Sequence, residues 1–242
     1  MDEICYILAM RLHRFYLEKP ITEETFDVPD EDLAHQWSNV FRYNVGSQVI
    51  LFDGSGTDFL CIITSLRNLG ATVSVVKKIT KKESDARQVW LCLGITKKDN
   101  FELVVQKSTE IGVAHIVPVL AERTEKKNIN MVRLQKIIIE ASEQSGRSRL
   151  LQVHPVTTLS DLLSSSLLPQ EKILLHFGGQ LLKDYVVEKS SSKLAVFVGP
   201  EGGWSDREVR EFTSNGIPII SLGAPILRAE TASIAAASLL LL

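Results

Sequence analysis

An acid inside one glycine loop and an arginine inside a second are the residues of this sequence best placed to do chemistry. The first loop lies in FVGPEGGWSDREV, Phe197–Val209, where Glu201 sits among Gly199, Pro200, Gly202 and Gly203. The second lies in SLGAPILRAETASIAAAS, Ser221–Ser238, where Gly223 and Pro225 precede Arg228, Glu230 and a run of small residues. Each follows an apolar run, LAVFV ending at Val198 and PIISL ending at Leu222, that reads as a buried strand. Ligands of open α/β sheets collect outside the carboxyl ends of the strands, so two such loops side by side form a pocket lined by backbone amides and carbonyls. The plainer readings are a tight turn for the first loop and an ion pair between Arg228 and Glu230 at a helix start. A third polar group, Gln144, Ser145, Arg147 and Arg149 in EASEQSGRSRL, is either a solvated helix end or a phosphate site, since arginine meets phosphate oxygens as a bidentate fork.

Other chemistries are excluded by what the loops lack. No G-x-x-x-x-G-K-[ST] occurs, so neither loop carries the lysine of a nucleoside-triphosphate site. His13, His35, His115, His154 and His176 are scattered, and Cys5, Cys61 and Cys92 stand far apart, which leaves no metal-ligand spacing. A reaction without a metal is expected. The tempting DGSGTD at residues 53–58 lacks a third glycine and runs into a strand at Phe59, so it reads as a hairpin turn.

The elements that must position these loops come in two grammars. From Met10 to Ile79, short β-like runs (HRFYL, SQVILFDG, DFLCIITSL, ATVSVVKKI) alternate with turn residues, the pattern of a small barrel. A charged stretch at Lys77–Gln88 then separates this region from one in which strands alternate with helices: VWLCLGI, DNFELVVQKSTEIG, HIVPVL, NMVRLQKIIIEASEQSG, KILLHF, LAVFV and PIISLG. That alternation predicts a mostly parallel sheet with helical crossovers, and by periodicity alone an ordinary doubly wound one. Ser205 and Glu208 have the spacing of a capping box, and Gly146 and Asn215-Gly216 stand where helices end.

With 242 residues, 45% of them hydrophobic, the chain can bury a sizeable core. Its 27 basic and 29 acidic residues give a net charge of −2, which excludes coating a nucleic acid by bulk charge and leaves local patches to meet any polyanion. An odd number of separated cysteines fits a reducing cytoplasm. The opening MDEICYILAM is acidic where a signal peptide is basic, and ASIAAASLLLL is too short for a bilayer, so no membrane partner is expected.

GPEGG, LGAPILRAETA, EQSGR and QKSTEIG (Gln106–Gly112), in this order and spacing, resemble the RsmE family of small-subunit ribosomal RNA uridine-N3 methyltransferases, of the SPOUT class. HRFYL and AHQWSNVFRYNVG (Ala34–Gly46) are similar to that family's PUA-like RNA-binding barrel. The resemblance implies an α/β, SPOUT-type trefoil-knotted, parallel-sheet methyltransferase domain over residues 80–242, preceded by a PUA-like β-barrel over 10–79, with residues 1–9 an extension before a family start at Met10. It implies S-adenosylmethionine as cofactor, held by Leu175, by Gly199, Pro200, Glu201, Gly202 and Gly203, and by Leu222, Gly223, Ile226 and Leu227. It implies methyl transfer to N3 of a uridine in 16S rRNA by a homodimer, without metal. The N3 proton must leave and negative charge develops on the flanking carbonyls, so Arg228 is expected to stabilise that charge, while Glu201 either orients the base and accepts its proton or caps backbone amides. Arg11, Arg14, Arg42, Lys107, Arg147 and Arg149 are the expected phosphate contacts.

Two departures stand out. Pro225 occupies the position of the family's first loop arginine, leaving Arg228 the one arginine in that loop, and leucine at 150 or 151 stands where the family often has proline. Pro225 favours a competing reading, an RNA-binding assembly factor that keeps the scaffold without transfer. A Rossmann-type oxidoreductase is disfavoured because no G-x-G-x-x-G follows the strand at Val89–Ile95.

Overall fold

Period-two patterning in the first eighty residues and continuous apolar runs beyond them fold into two separate units. A computed structural model describes residues 12–80, 87–125, 128–188 and 192–242, so the predicted extension at residues 1–9 and Arg11 lie outside the described residues. One unit is Met1–Lys82 with Ser142–Arg149, the other Glu83–Ala141 with Leu150–Leu242.

In the first unit, β1 (Arg14–Tyr16), β2 (Thr25–Val28), β3 (Gln48–Phe52), β4 (Thr57–Arg67) and β5 (Gly70–Thr80) make one sheet in the order β1-β3-β4-β5-β2. Only β1 and β3 run parallel. The DGSGTD stretch is the β3–β4 hairpin turn that its sequence predicts, pinned by Asp53, whose carboxylate accepts from the amides of Ser55 (3.0 Å) and Ile21 (2.9 Å). A short helix α1 (Glu31–His35), capped by Asp30 accepting from the Leu33 amide, continues into a π-helical turn at Gln36–Val40. That turn buries Trp37 completely among Phe15, Val49, Leu51 and Ile63.

Ser142–Arg149 belongs to this unit because its polar groups complete the unit's interior. Arg14 forks onto Asp58 at 2.5 and 2.8 Å, the Ser148 hydroxyl donates to Asp58 Oδ1 at 2.6 Å, and the Gly56 amide donates to the Ser148 carbonyl at 3.2 Å. The Tyr16 amide donates to Glu143 at 3.0 Å.

The second unit is built on β6 (Gln88–Gly94), α2 (Lys98–Ile111), β7 (His115–Leu120), α3 (Met131–Ser145), β8 (Gln152–Val153), β9 (Thr157–Thr158), α4 (Leu159–Ser164), β10 (Lys172–Leu181), α5 (Leu182–Glu188), β11 (Lys193–Val198), α6 (Asp206–Ser214), β12 (Ile219–Ser221) and α7 (Ala229–Leu241). Seven strands form one sheet in the order β12-β10-β11-β6-β7-β8, with β9 also on β7, and every pair is parallel. Such a sheet must be covered on both faces. On one face Phe101, Val104, Ile138, Ala236 and Ala237 meet Leu91, Leu93 and Val196, and on the other Leu162, Trp204 and Phe212 meet Cys92, Val117, Ala195 and Phe197. Helices α3 and α6 end as their sequence predicts, with Gly146 and Gly216 at φ 76 and 71.

The Arg14–Asp58 pair is nearly dry, with side chains 10% and 5% exposed. Removing one member of a buried pair strands the other charge at a cost of about 3–5 kcal/mol. Asp58→Ala should therefore lower the unfolding free energy of the first unit by that order, read as hydrogen exchange across β3 and β4. A change within about 0.5 kcal/mol, the range of ordinary surface substitutions, would mean that the pair contributes no more than a surface contact.

Candidate functional site

Four loops meet at the carboxyl ends of adjacent parallel strands. They are Gly199–Trp204 after β11, Ile95–Lys97 after β6, Leu222–Arg228 after β12, and an excursion within β10. That excursion arises because β10 pairs with β12 through Leu175 and again through Gln180, both opposite Ile220, so the residues between them leave the ladder. It carries His176 and Phe177 to the site.

The first loop is a tight turn closed by the Gly203 amide on the Pro200 carbonyl at 2.8 Å, with Gly203 at φ 68, a conformation that favours glycine. It lies so close to β6 that a Cβ on Gly94 would sit 2.4 Å from Pro200 Cδ. Beyond it Trp204 packs edge-on against Phe212, and the capping box is complete: the Glu208 amide donates to Ser205 Oγ while Glu208 takes the Ser205 amide at 2.7 Å. The same buried carboxylate also accepts from the Glu122 amide at 2.9 Å, tying α6 to the end of β7.

Two side chains from elsewhere in the unit hold the loop. Arg123 donates to the carbonyls of Gly202 (3.0 Å) and Trp204 (3.3 Å). Glu201 Oε1 accepts from the Lys97 amide (2.9 Å) and from Asn100 Nδ2 (3.2 Å), at the amino end of α2. The Lys97 side chain makes no cap bond of its own, so Glu201 supplies the cap. Partial burial pushes the Glu201 carboxyl upward, but the Lys97 amide, its own backbone, Asn100 and the Lys97 charge outweigh that and hold it below its ordinary value.

The loops enclose a cavity of about 610 Å³. Its lining includes every residue predicted to hold the cofactor, Leu175, Gly199, Pro200, Glu201, Gly202, Gly203, Leu222, Gly223, Ile226 and Leu227, together with Arg228. Arg228 is the exposed N-cap of α7, and its side chain makes no hydrogen bond or ion pair among the described residues. The alternative of an ion pair with Glu230 is not seen. Sequence reasoning missed Lys97, Asn100, Arg123, His176 and Glu230 on the same lining. Two of them had a sequence signal, Glu230 inside a noted motif and His176 in the strand Leu174–Phe177 that the family resemblance places near the cofactor. The others are brought in by the tertiary fold, Arg123 from 79 positions away.

The predicted phosphate contacts differ in exposure and pairing, although Arg14 reaches the Arg147 carbonyl at 3.3 Å. Arg42 is exposed and holds a left-handed backbone, φ 56, rare for a residue with a Cβ. Arg149 is also exposed. Lys107 is paired with Glu110 one helical turn away at 2.8 Å. Arg14 is committed to Asp58, and burial pulls Arg147 down to about 10. The sequence could not foresee this, since an arginine that meets a buried aspartate 44 positions later looks like any surface cation. Among the described residues no group of His, Cys, Asp or Glu could hold a metal, and no helix is long and apolar enough to cross a membrane. Cys61 and Cys92 are buried thiols, with Cys61 pushed up to about 12 by desolvation.

Because folding holds Glu201 below its ordinary 4.5, the unfolded chain binds the proton more tightly, and the tie contributes fully above that value and is lost as pH falls through the folded one. The melting temperature of the wild type minus that of Glu201→Gln should therefore be largest at neutral pH and close in acid. A difference independent of pH across that window would show that the carboxylate's charge is not what holds the loop.

Residues 82–241 match the RNA methyltransferase domain family, and residues 39–76 match the RNA methyltransferase PUA domain. Curated relatives named ribosomal RNA small subunit methyltransferase E are 28% identical over 94% of both chains in Rickettsia conorii, and 29% identical over 94% of this chain and 95% of theirs in Bacillus subtilis. Among solved structures, the Neisseria gonorrhoeae protein of that name bound to S-adenosylmethionine is 30% identical, with a TM-score of 0.83 covering 94% of this chain and 96% of that one. A Legionella pneumophila methyltransferase in complex with the same cofactor is 29% identical at a TM-score of 0.83, covering 95% and 97%. A shared PUA domain, a shared parallel-sheet domain and a match that spans both place this protein: it belongs to the RNA methyltransferase family, among the ribosomal RNA small subunit methyltransferase E proteins.

Proposed function

We propose that this protein transfers a methyl group from S-adenosylmethionine to N3 of one uridine in the 16S rRNA of the small ribosomal subunit. The observation that carries this reading is the cavity at the strand ends, walled by the two glycine loops, in a chain whose relative of the same fold is bound to that cofactor. The residues present fit the group. A cavity of about 610 Å³ is of small-molecule size. Leu175, Leu222 and Leu227 offer apolar wall, and the tight approach of Pro200 to Gly94 brings loop backbone to the site. Glu230 lies on the lining as well, and its Oε2 is buried with no hydrogen-bond partner among the described residues.

Bound there, the cofactor supplies a methyl group already activated on a sulfonium. The protein's task is to place the base in line and exclude water. The target uridine must be unpaired or extruded to present N3. Arg228, at the cavity and in no ion pair among the described residues, donates to a uracil carbonyl oxygen as charge develops on it. Glu201 acts on the loop, where its Oε1 accepts from the Lys97 amide and Asn100. Arg42 and Arg149 are the favoured phosphate contacts and Arg14 is a structural residue, the assignment their exposures support. The same reading includes a trefoil knot in the second unit, a substrate met in the cytoplasm, and a homodimer. Apolar side chains left in water support the dimer: Phe177 is 57% exposed, Ile226 81% and Leu239, on α7, 51%. Pro225 at the cavity favours the scaffold-only reading, against which Arg228 still stands on the same lining.

With small subunits lacking the modification, Arg228→Ala should lower the transfer rate roughly 100- to 1,000-fold, the loss typical of one charge-stabilising donor. Cofactor affinity should stay within about threefold, a change worth under 1 kcal/mol. Reverse transcription reads the product as a stop at one uridine, and full activity in the variant would remove Arg228 from catalysis. Cofactor binding without transfer by the wild type would favour the scaffold-only reading. For the dimer, sedimentation of the wild type should give twice the chain mass of 26.9 kDa and Leu239→Glu the monomer mass; a monomeric wild type would refute it.

A further inference from the structure

Methylating uridine at N3 requires somewhere for the N3 proton to go. Three side chains on the cavity lining can accept a proton: Glu201, His176 and Glu230. Glu201 is exposed, and its Oε1 already accepts from the Lys97 amide and Asn100. His176 is half-buried, with Nδ1 3.3 Å from the Phe177 carbonyl, so that its ring is partly open to water. Glu230 is different in kind. It stands in the first turn of α7, is only 8% exposed, and its Oε2 is buried with no hydrogen-bond partner. It makes no ion pair among the described residues, even with Arg228 two positions away. A carboxylate removed from water without a compensating donor costs several kcal/mol and persists where function requires it.

We propose that Glu230 is the residue that recognises the uracil imide and accepts its N3 proton. This rests on the uridine-N3 reading above. The Watson–Crick edge of uracil presents a carbonyl, the N3–H and a second carbonyl. An arginine and a carboxylate two residues apart on one lining complement that order, with Arg228 donating to a carbonyl oxygen and Glu230 accepting from N3–H. In the step itself the N3–H bond breaks, an O–H bond forms on the Glu230 carboxylate, and the electron pair stays on N3, which becomes the nucleophile for the methyl group. The same arrangement selects against cytidine, whose N3 bears a lone pair and no proton, so that two acceptors would face each other. The other charged or titratable groups facing the cavity are Lys97, Arg123, His176, Glu201 and Arg228.

Glu230→Gln tests this, because it keeps the shape, removes the proton acceptor and relieves a buried charge, so the fold should be at least as stable on melting. Wild type and variant would be compared in single turnovers with labelled S-adenosylmethionine and unmodified small subunits, beside calorimetric titrations of the cofactor. The variant should bind the cofactor within about threefold of wild type, a change under 1 kcal/mol, and transfer at least about 100-fold more slowly at neutral pH, as expected for loss of a general base. Its rate should then recover roughly tenfold per pH unit in alkali, as the imide ionises by itself. Cofactor binding weakened more than about tenfold, or 1.4 kcal/mol, with the rate restored at saturation, would make Glu230 a cofactor counter-ion and overturn the proposal. So would a slow variant without alkaline recovery, or one as fast as wild type. A wild type that modified some atom other than uridine N3 would instead overturn the reading on which the proposal stands.

Discussion

The site depends on how closely Pro200 approaches Gly94. A Cβ between them would come within 2.4 Å of the proline ring, so two neighbouring parallel strands can deliver their loops to one point only because β6 ends in glycine. Everything else at the cavity is arranged around that contact. The Pro200–Gly203 turn faces the Ile95–Lys97 loop, which allows Glu201 to reach the start of α2, and Arg123 closes the other side by taking two of the loop's carbonyls. Backbone amides and carbonyls held in this way are preorganised, and preorganisation is what a binding loop needs if it is not to lose affinity to ordering.

Carboxylates in this unit have been divided between two kinds of work. Glu208 is buried and fully satisfied, accepting from the Ser205 and Glu122 amides, and its role is to fix where α6 begins. Glu201 likewise spends its charge on structure. Glu230 is also largely buried, and its Oε2 has no hydrogen-bond partner among the described residues. Burial with full pairing suits a structural acid, whereas a buried carboxylate oxygen without a partner calls for an explanation of its own.

The arginines are divided by the same rule. Arg14 is enclosed with Asp58 and Ser148 and keeps the first unit's interior neutral. Arg228 and Arg42 stay exposed, the one at the cavity and the other on a left-handed backbone that is maintained against its steric preference. Net charge near zero is compatible with an RNA substrate, because a few placed cations can meet phosphates without a field over the whole surface.

The sequence by itself determined what is local. The capping box at Ser205–Glu208, the glycine stops of α3 and α6, the hairpin at residues 53–58 and the alternation that becomes a parallel sheet all follow from backbone preferences within a few residues, and so they were legible. The gathering of Gly199–Gly203 and Leu222–Arg228 at one cavity was legible too, since consecutive strand ends in such a sheet open on the same edge. Tertiary structure decided what depends on distance along the chain. The β10 excursion that brings in His176 is set by where β12 pairs with it, and Arg123 reaches a loop 79 positions away. Arg14 becomes a core residue because of an aspartate 44 positions on and a serine 134 positions on, and Ser142–Arg149 joins the first unit for the same reason. Residue type and spacing record which groups a segment can offer; only the folded chain decides which of them find partners and which are left open for a substrate.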